Sequence, residues 1–133
     1  LYGGTGSDIL WGGSGNDIFA WTAADYDATG LDKIMDFTLG EDRLSFAAIF
    51  GDQAQTNIAL KDILAALENG KLDLTAIDDS HLTIKVGDGN GTTLQTVDVQ
   101  LTAAIDITIA DFNDSEAEKA ALLQQMLTNI AGG

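Results

Sequence analysis

The 133-residue chain has no cysteine, so neither disulfides nor thiol chemistry contribute to it. Proline is absent as well, and cationic side chains are scarce. Six Lys and Arg face 21 Asp and Glu, a formal net charge of −15. A surface of that sign repels phosphate backbones and anionic membrane surfaces, so no nucleic-acid partner is expected. No apolar run approaches the length of a membrane-spanning helix, and no membrane insertion is expected. His81 is the sole histidine, and H-E-x-x-H, G-x-S-x-G and P-loop sequences are all missing. Nothing assembles a nucleophile, a base and an oxyanion site, so the expectation is that the chain is not an enzyme.

What is present is concentrated at the start. Gly3–Trp11 reads G-G-T-G-S-D-I-L-W and Gly12–Ala20 reads G-G-S-G-N-D-I-F-A. These are two nonapeptides in register, with Gly at positions 1, 2 and 4, Asp at 6 and a large apolar residue at 8. Chance produces such a double match with a probability on the order of a few in a million. A flexible linker would lack the apolar residue at position 8. Three glycines in four positions let the backbone turn tightly and point carbonyl oxygens inward, while the Asp adds a carboxylate to the same pocket. Such hard oxygen donors suit Ca²⁺ and offer nothing soft to Zn²⁺ or Cu²⁺. The three-residue strands that follow, Ile9–Trp11 and Ile18–Ala20, gain stability only when successive turns stack. Leu1, Leu10 and Phe19 recur every nine residues as an interior row, whereas Ile9, Trp11 and Ile18 point away from it. Leu1 and Tyr2 fit the end of a preceding repeat, so the array is expected to continue upstream, and no signal peptide is visible.

Residues 1–20 closely resemble the G-G-x-G-x-D-x-U-x calcium-binding repeat of RTX proteins. The resemblance implies a parallel β-roll with two nonapeptides per turn and Ca²⁺ held between stacked loops. It carries over Asp8 and Asp17 as carboxylate ligands. It also carries over Gly3, Gly4, Thr5 and Gly6, with Gly12, Gly13, Ser14 and Gly15, as the loops that offer carbonyls. Two or three Ca²⁺ would move the net charge from −15 to between −11 and −9 (adding 4 to 6), which relieves self-repulsion in the compact state.

Farther on, residues 21–31 break the repeat as a loop, and Asp32–Phe46 reads as strand, turn at Leu39–Asp42, and strand at Arg43–Phe46. This stretch resembles the D-x-I-x-D-F-x-x-G-x-D-x-L segment that follows the last repeat in many RTX proteins, through Asp32, Ile34, Asp36, Phe37, Gly40, Asp42 and Leu44. By that match Asp32 becomes the next candidate ligand, while Asp36 and Asp42 read as strand-end or turn acids. After a loop over 47–57, the apolar spacing of Leu60, Ile63, Leu64 and Leu67 predicts a helix across Asn57–Gly70, capped by Asn57 or Thr56. Alternation predicts strands at Lys71–Ile77, His81–Val86, Leu94–Leu101 and Ile105–Ile109. Gly87–Gly91 (G-D-G-N-G) reads as a hairpin turn, since an EF-hand would need Glu where Val99 stands. His81 reads as a solvated strand-end residue, Asp78 and Asp79 as turn acids, and the Trp and Tyr residues as core or flank. Ser115 with Glu118 three positions on is a capping box that opens a helix through Ile130.

Two repeats leave the last turn of an array exposed, and solenoids need a cap. The expected fold is therefore mainly β: a parallel β-roll of GGxGxD nonapeptides with an α+β cap, a small β-rich unit with two helices. Residues 1–31 form the end of the roll; residues 32–133 form the cap, covering the end and part of the apolar flank, and the secretion-signal region. The resemblance implies a secreted or cell-surface monomer that binds Ca²⁺ and is exported by a bacterial type I secretion ABC transporter. The parent is expected to be a large adhesin, with a secreted protease or lipase as the alternative.

Overall fold

A computed structural model describes residues 6–27, 29–46, 49–50 and 57–129. The repeat residues Gly3, Gly4 and Thr5, the interior-row residue Leu1, most of the loop over 47–57 and Ile130 lie outside the described residues. Among the described residues the fold is mainly β, with one mixed sheet, a two-stranded parallel sheet and three α-helices.

The chain alternates between two sheets from the start. Strands β1 (Ile9–Leu10) and β3 (Leu31–Phe37) pair in parallel in the first sheet; β2 (Ile18–Trp21) and β4 (Arg43–Phe46) pair in parallel in the second. Each alternation buries one parity of side chains between the sheets. Phe19 of β2 meets Phe37 of β3 at a ring-centroid distance of 6.3 Å, and Trp21 stacks on Phe46 at 5.1 Å. All four are fully buried, and each contributes about 1.5–3 kcal/mol of burial. At the opposite parity Ile9 is 66% exposed, Trp11 64% and Ile18 42%, whereas Ala20 and Ser45 are buried. Ile9 and Trp11 of that flank therefore stay in solvent, while Ala20 at its far end is covered.

The first sheet continues past β3 in the order β1-β3-β7-β6-β5. Strands β5 (Leu72–Asp78), β6 (His81–Gly87) and β7 (Thr93–Leu101) form an antiparallel meander, and β7 returns parallel to β3. The hairpin at 87–91 is as predicted. Asp88 Oδ1 accepts the Asn90 and Thr92 amides there, at 2.7 and 3.1 Å.

Helix α1 (Leu60–Glu68) is shorter than its apolar period, because Ala59 is extended and Ile58 is buried just before it. It closes where expected: Gly70 adopts φ +80° and lets the Lys71 amide donate to Ala66 O. Two elements differ from expectation. The segment around Ile105–Ile109 is not a strand; helix α2 (Ile109–Asn113) takes its end, so the described residues hold three α-helices where two were expected. Asn113 explains the preference. Its amide both accepts from Ala76 N (2.8 Å) and donates to Ala76 O (3.0 Å), satisfying the outer edge of β5 as a neighbouring strand would. Helix α3 (Glu116–Met126) begins at Ser115, whose side chain accepts from Glu118 N, but stops four residues before Ile130. Leu127 instead bridges Leu44 in parallel, and Thr128 N donates to Leu44 O at 2.8 Å, extending the second sheet beyond β4.

Candidate metal centre

Asp8 and Asp17 stand at equivalent places, just before β1 and β2. Their carbonyls accept from Lys33 N (2.8 Å) and Arg43 N (2.9 Å), so each is fixed by the strand below. Their amides donate to Asp32 Oδ1 (2.9 Å) and Asp42 Oδ1 (3.0 Å). In each, Oδ2 is buried and has no hydrogen-bond partner. A buried carboxylate oxygen without a donor costs desolvation that nothing returns, unless a cation sits on it. The turn is shaped around one of them: a Cβ on Gly12 would lie 2.7 Å from Asp17 Oδ2.

Asp32 lies beneath the Asp8 turn and is fully buried. Its Oδ2 accepts from Trp21 Nε1 (2.7 Å) and Gln95 Nε2 (3.2 Å). Burial pushes its carboxyl above the usual range, the Trp21 and Asp8 N–H groups oppose this, and the adjacent Asp8 carboxylate adds to the rise. Two carboxylates side by side in a buried place are a cation's environment as much as a proton's. These oxygen donors, with the glycine-turn carbonyls, fit a hard ion such as Ca²⁺ and contain nothing soft.

The neighbouring acids hold amides. Asp36 accepts from Gly12 N and Gly13 N, each at 2.8 Å, and buried Asp42 accepts from Thr38 N at 2.8 Å as well as from Asp17 N. Asp27 accepts from Gly6 N (3.2 Å) and from Thr29 N and Oγ1 (3.0 and 2.8 Å), and the Thr29 side-chain bond leads in lowering its pKa. Sequence reasoning read Asp36 and Asp42 as strand-end or turn acids and missed their partners. It also missed Asp27 and Gln95 as parts of this framework. A signal was available for Gln95, a buried polar residue at the core parity of β7 beside Val97, Val99 and Leu101.

Other acids lie apart from this framework. No group of three or more His, Cys, Asp or Glu side chains able to hold a metal occurs among the described residues. Asp88 and Asp78 are both held below the ordinary carboxylate range, chiefly by the Asn90 and Ser80 amides respectively. His81, at the start of β6, lies 3.9 Å from Asp98 and is partly exposed, as a strand-end residue would be. Of the two tryptophans, Trp21 is core and Trp11 is exposed flank. No helix among the described residues is long and apolar enough to cross a membrane.

No curated protein and no solved structure matches the chain. A family model does: residues 1–102, which include both repeats, the β3–β4 layer and the whole meander, match the family described as peptidase M10 serralysin C terminal. That span is more than half of the sequence, and the chain belongs to the serralysin C-terminal family.

Proposed function

We propose that this chain is a calcium-binding, end-capping RTX domain of a bacterial protein exported by a type I secretion ABC transporter, folding on Ca²⁺ outside the cell. The observation that carries the reading is the pair of buried, unpartnered Oδ2 atoms on Asp8 and Asp17, at the same position of two glycine-rich nonapeptides. Family membership supports it. Asp8 and Asp17 supply carboxylate oxygens; Gly6, Gly12, Gly13, Ser14 and Gly15 belong to the turns that supply carbonyls, and Asp32 stands next to Asp8. Gly3, Gly4 and Thr5 join them on the repeat pattern alone. Bound calcium supplies positive charge where the carboxylates converge and ties one turn of a β-roll to the next. Affinity in the range of extracellular modules, ~10⁻⁴–10⁻³ M, leaves the turns empty in the cytosol and filled outside.

In this reading the domain works as a monomer with no catalysis of its own, and its parent is extracellular or surface-bound. Between the two parents, the matched family's name favours a secreted serralysin-like hydrolase over a large adhesin. An H-E-x-x-H or G-x-S-x-G region in the upstream reading frame would mark the hydrolase, and tandem adhesive modules the adhesin.

Isothermal titration calorimetry tests the metal assignment. Asp17→Ala should lower the calcium stoichiometry, whereas Asp79→Ala should leave it intact; equal losses would mean that generic acidity holds the ion. Export is tested separately. Removing residues 105–133 should trap the chain inside the cell, while Asp8→Ala with Asp17→Ala should leave it exported but poorly folded. A truncated chain that reaches the medium at the normal rate would make the terminal segment a structural cap only.

A further inference from the structure

We propose that Asp36 is a positioning residue for the calcium-binding turn, gripping its amides from one side so that its carbonyls face the other. This rests on the reading of the Asp8 and Asp17 turns as calcium sites. One Asp36 oxygen accepts from Gly12 N and the other from Gly13 N, both at 2.8 Å. Two successive amides converging on one carboxylate form an anion nest, and Gly13 reaches it at φ +77°, a backbone conformation that favours glycine. The glycine turn thus serves as an anion receptor toward the β3–β4 layer.

The consequence follows from peptide geometry. In a planar trans peptide the carbonyl points opposite to the N–H. With the Gly12 and Gly13 amides turned onto Asp36, the carbonyls of Trp11 and Gly12 point away from it. The same holds at the neighbouring contacts. The Asp8 amide on Asp32 turns the Ser7 carbonyl away, and the Asp17 amide on Asp42 does the same for Asn16. The acids below orient the acceptors that a cation needs above. Both Asp36 oxygens already hold an N–H, whereas Asp8 and Asp17 each keep a buried oxygen without a partner. This division sets Asp8 and Asp17, the ligand acids, apart from Asp36 and from Asp32 and Asp42, whose oxygens likewise already accept N–H groups.

The test is calorimetry with Ca²⁺ on the full chain, comparing wild type, Asp36→Asn and, as a control for generic charge, Asp88→Asn. Asparagine keeps one acceptor but sets an NH₂ group against an amide N–H. Asp36→Asn is expected to raise Kd about 10–100-fold, the usual cost of losing a group that orients ligands, with stoichiometry unchanged. Asp88→Asn should change neither. Measurements are made where circular dichroism shows each variant folded in excess calcium. A second variant, Gly13→Ala, strains the same nest without touching a carboxylate and should raise Kd in the same direction; it covers the case in which Asp36→Asn fails to fold. Loss of one bound ion in Asp36→Asn would make Asp36 a ligand, and an unchanged Kd would make it a simple tether; either overturns the proposal. A wild-type chain that takes up no calcium overturns the underlying reading along with it, a result distinct from both.

Discussion

Chelating calcium with EDTA is expected to lower the melting temperature by roughly 5–10 °C for each site emptied, relative to about 10 mM Ca²⁺. At that concentration calcium exceeds a Kd of ~10⁻⁴–10⁻³ M by about ten- to a hundredfold and stabilises the native state by about 1.4–2.7 kcal/mol. For a chain of this size about 1 kcal/mol moves the melting temperature by roughly 4 °C. Two features make the effect large here. The Oδ2 atoms of Asp8 and Asp17 are buried without donors, so an empty site retains their desolvation cost. The net charge of −15 also penalises the compact state until divalent ions offset it. Circular dichroism melts in EDTA, in millimolar Ca²⁺, and in NaCl of matched ionic strength separate specific binding from screening. A cooperative melt identical in all three would sink the idea.

Ending the chain after Met126 is expected to have a comparably large effect, with no change in calcium stoichiometry once the truncated chain is folded. Leu127 is fully buried, and its loss removes about 1.5–3 kcal/mol of burial. Two hydrogen bonds go as well, Thr128 N to Leu44 O at 2.8 Å and Arg43 Nη1 to Leu127 O at 3.2 Å, worth about 1 kcal/mol each. The sum, roughly 4 kcal/mol, is a substantial part of a domain's usual 5–15 kcal/mol. A shift of about 15 °C, or loss of the cooperative transition, is therefore expected. Leu127→Ala keeps the backbone bridge and should cost less. A truncated chain melting within a few degrees of the intact one would show that the bridge to β4 contributes nothing.

Much of this architecture is legible in the sequence because its local signals agree with its tertiary environment. Strand β4 spans Arg43–Phe46 as the alternation requires, and Ser115 and Glu118 mark the start of α3. Legibility ends where a distant partner decides. Ile105, Ile107 and Ile109 alternate like a strand, yet the Asn113 amide finds the backbone of Ala76, and the chain coils into α2 to present it. Leu123, Met126, Leu127 and Ile130 keep a helical period, yet β4 has an unfilled edge and draws Leu127 out of the helix. The parallel return of β7 to β3 is hidden by the intervening helix and hairpin. At the candidate site the nonapeptides point directly to Asp8 and Asp17. The roles of Asp27, Asp36 and Asp42 depend on which amides lie above them, and residue type alone does not carry that.

The two ends of the fold differ. Among the described residues, β1 and β2 are the outermost strands of their sheets at one end; at the other, α2 meets β5 through Asn113 and the 127–129 segment lies along β4. In terms of symmetry, such a fold is polar, with one end closed by side chains and the other built of strand edges. The same polarity lets a repeat array lengthen by whole coils on the β1–β2 side while the closed pole stays as it is.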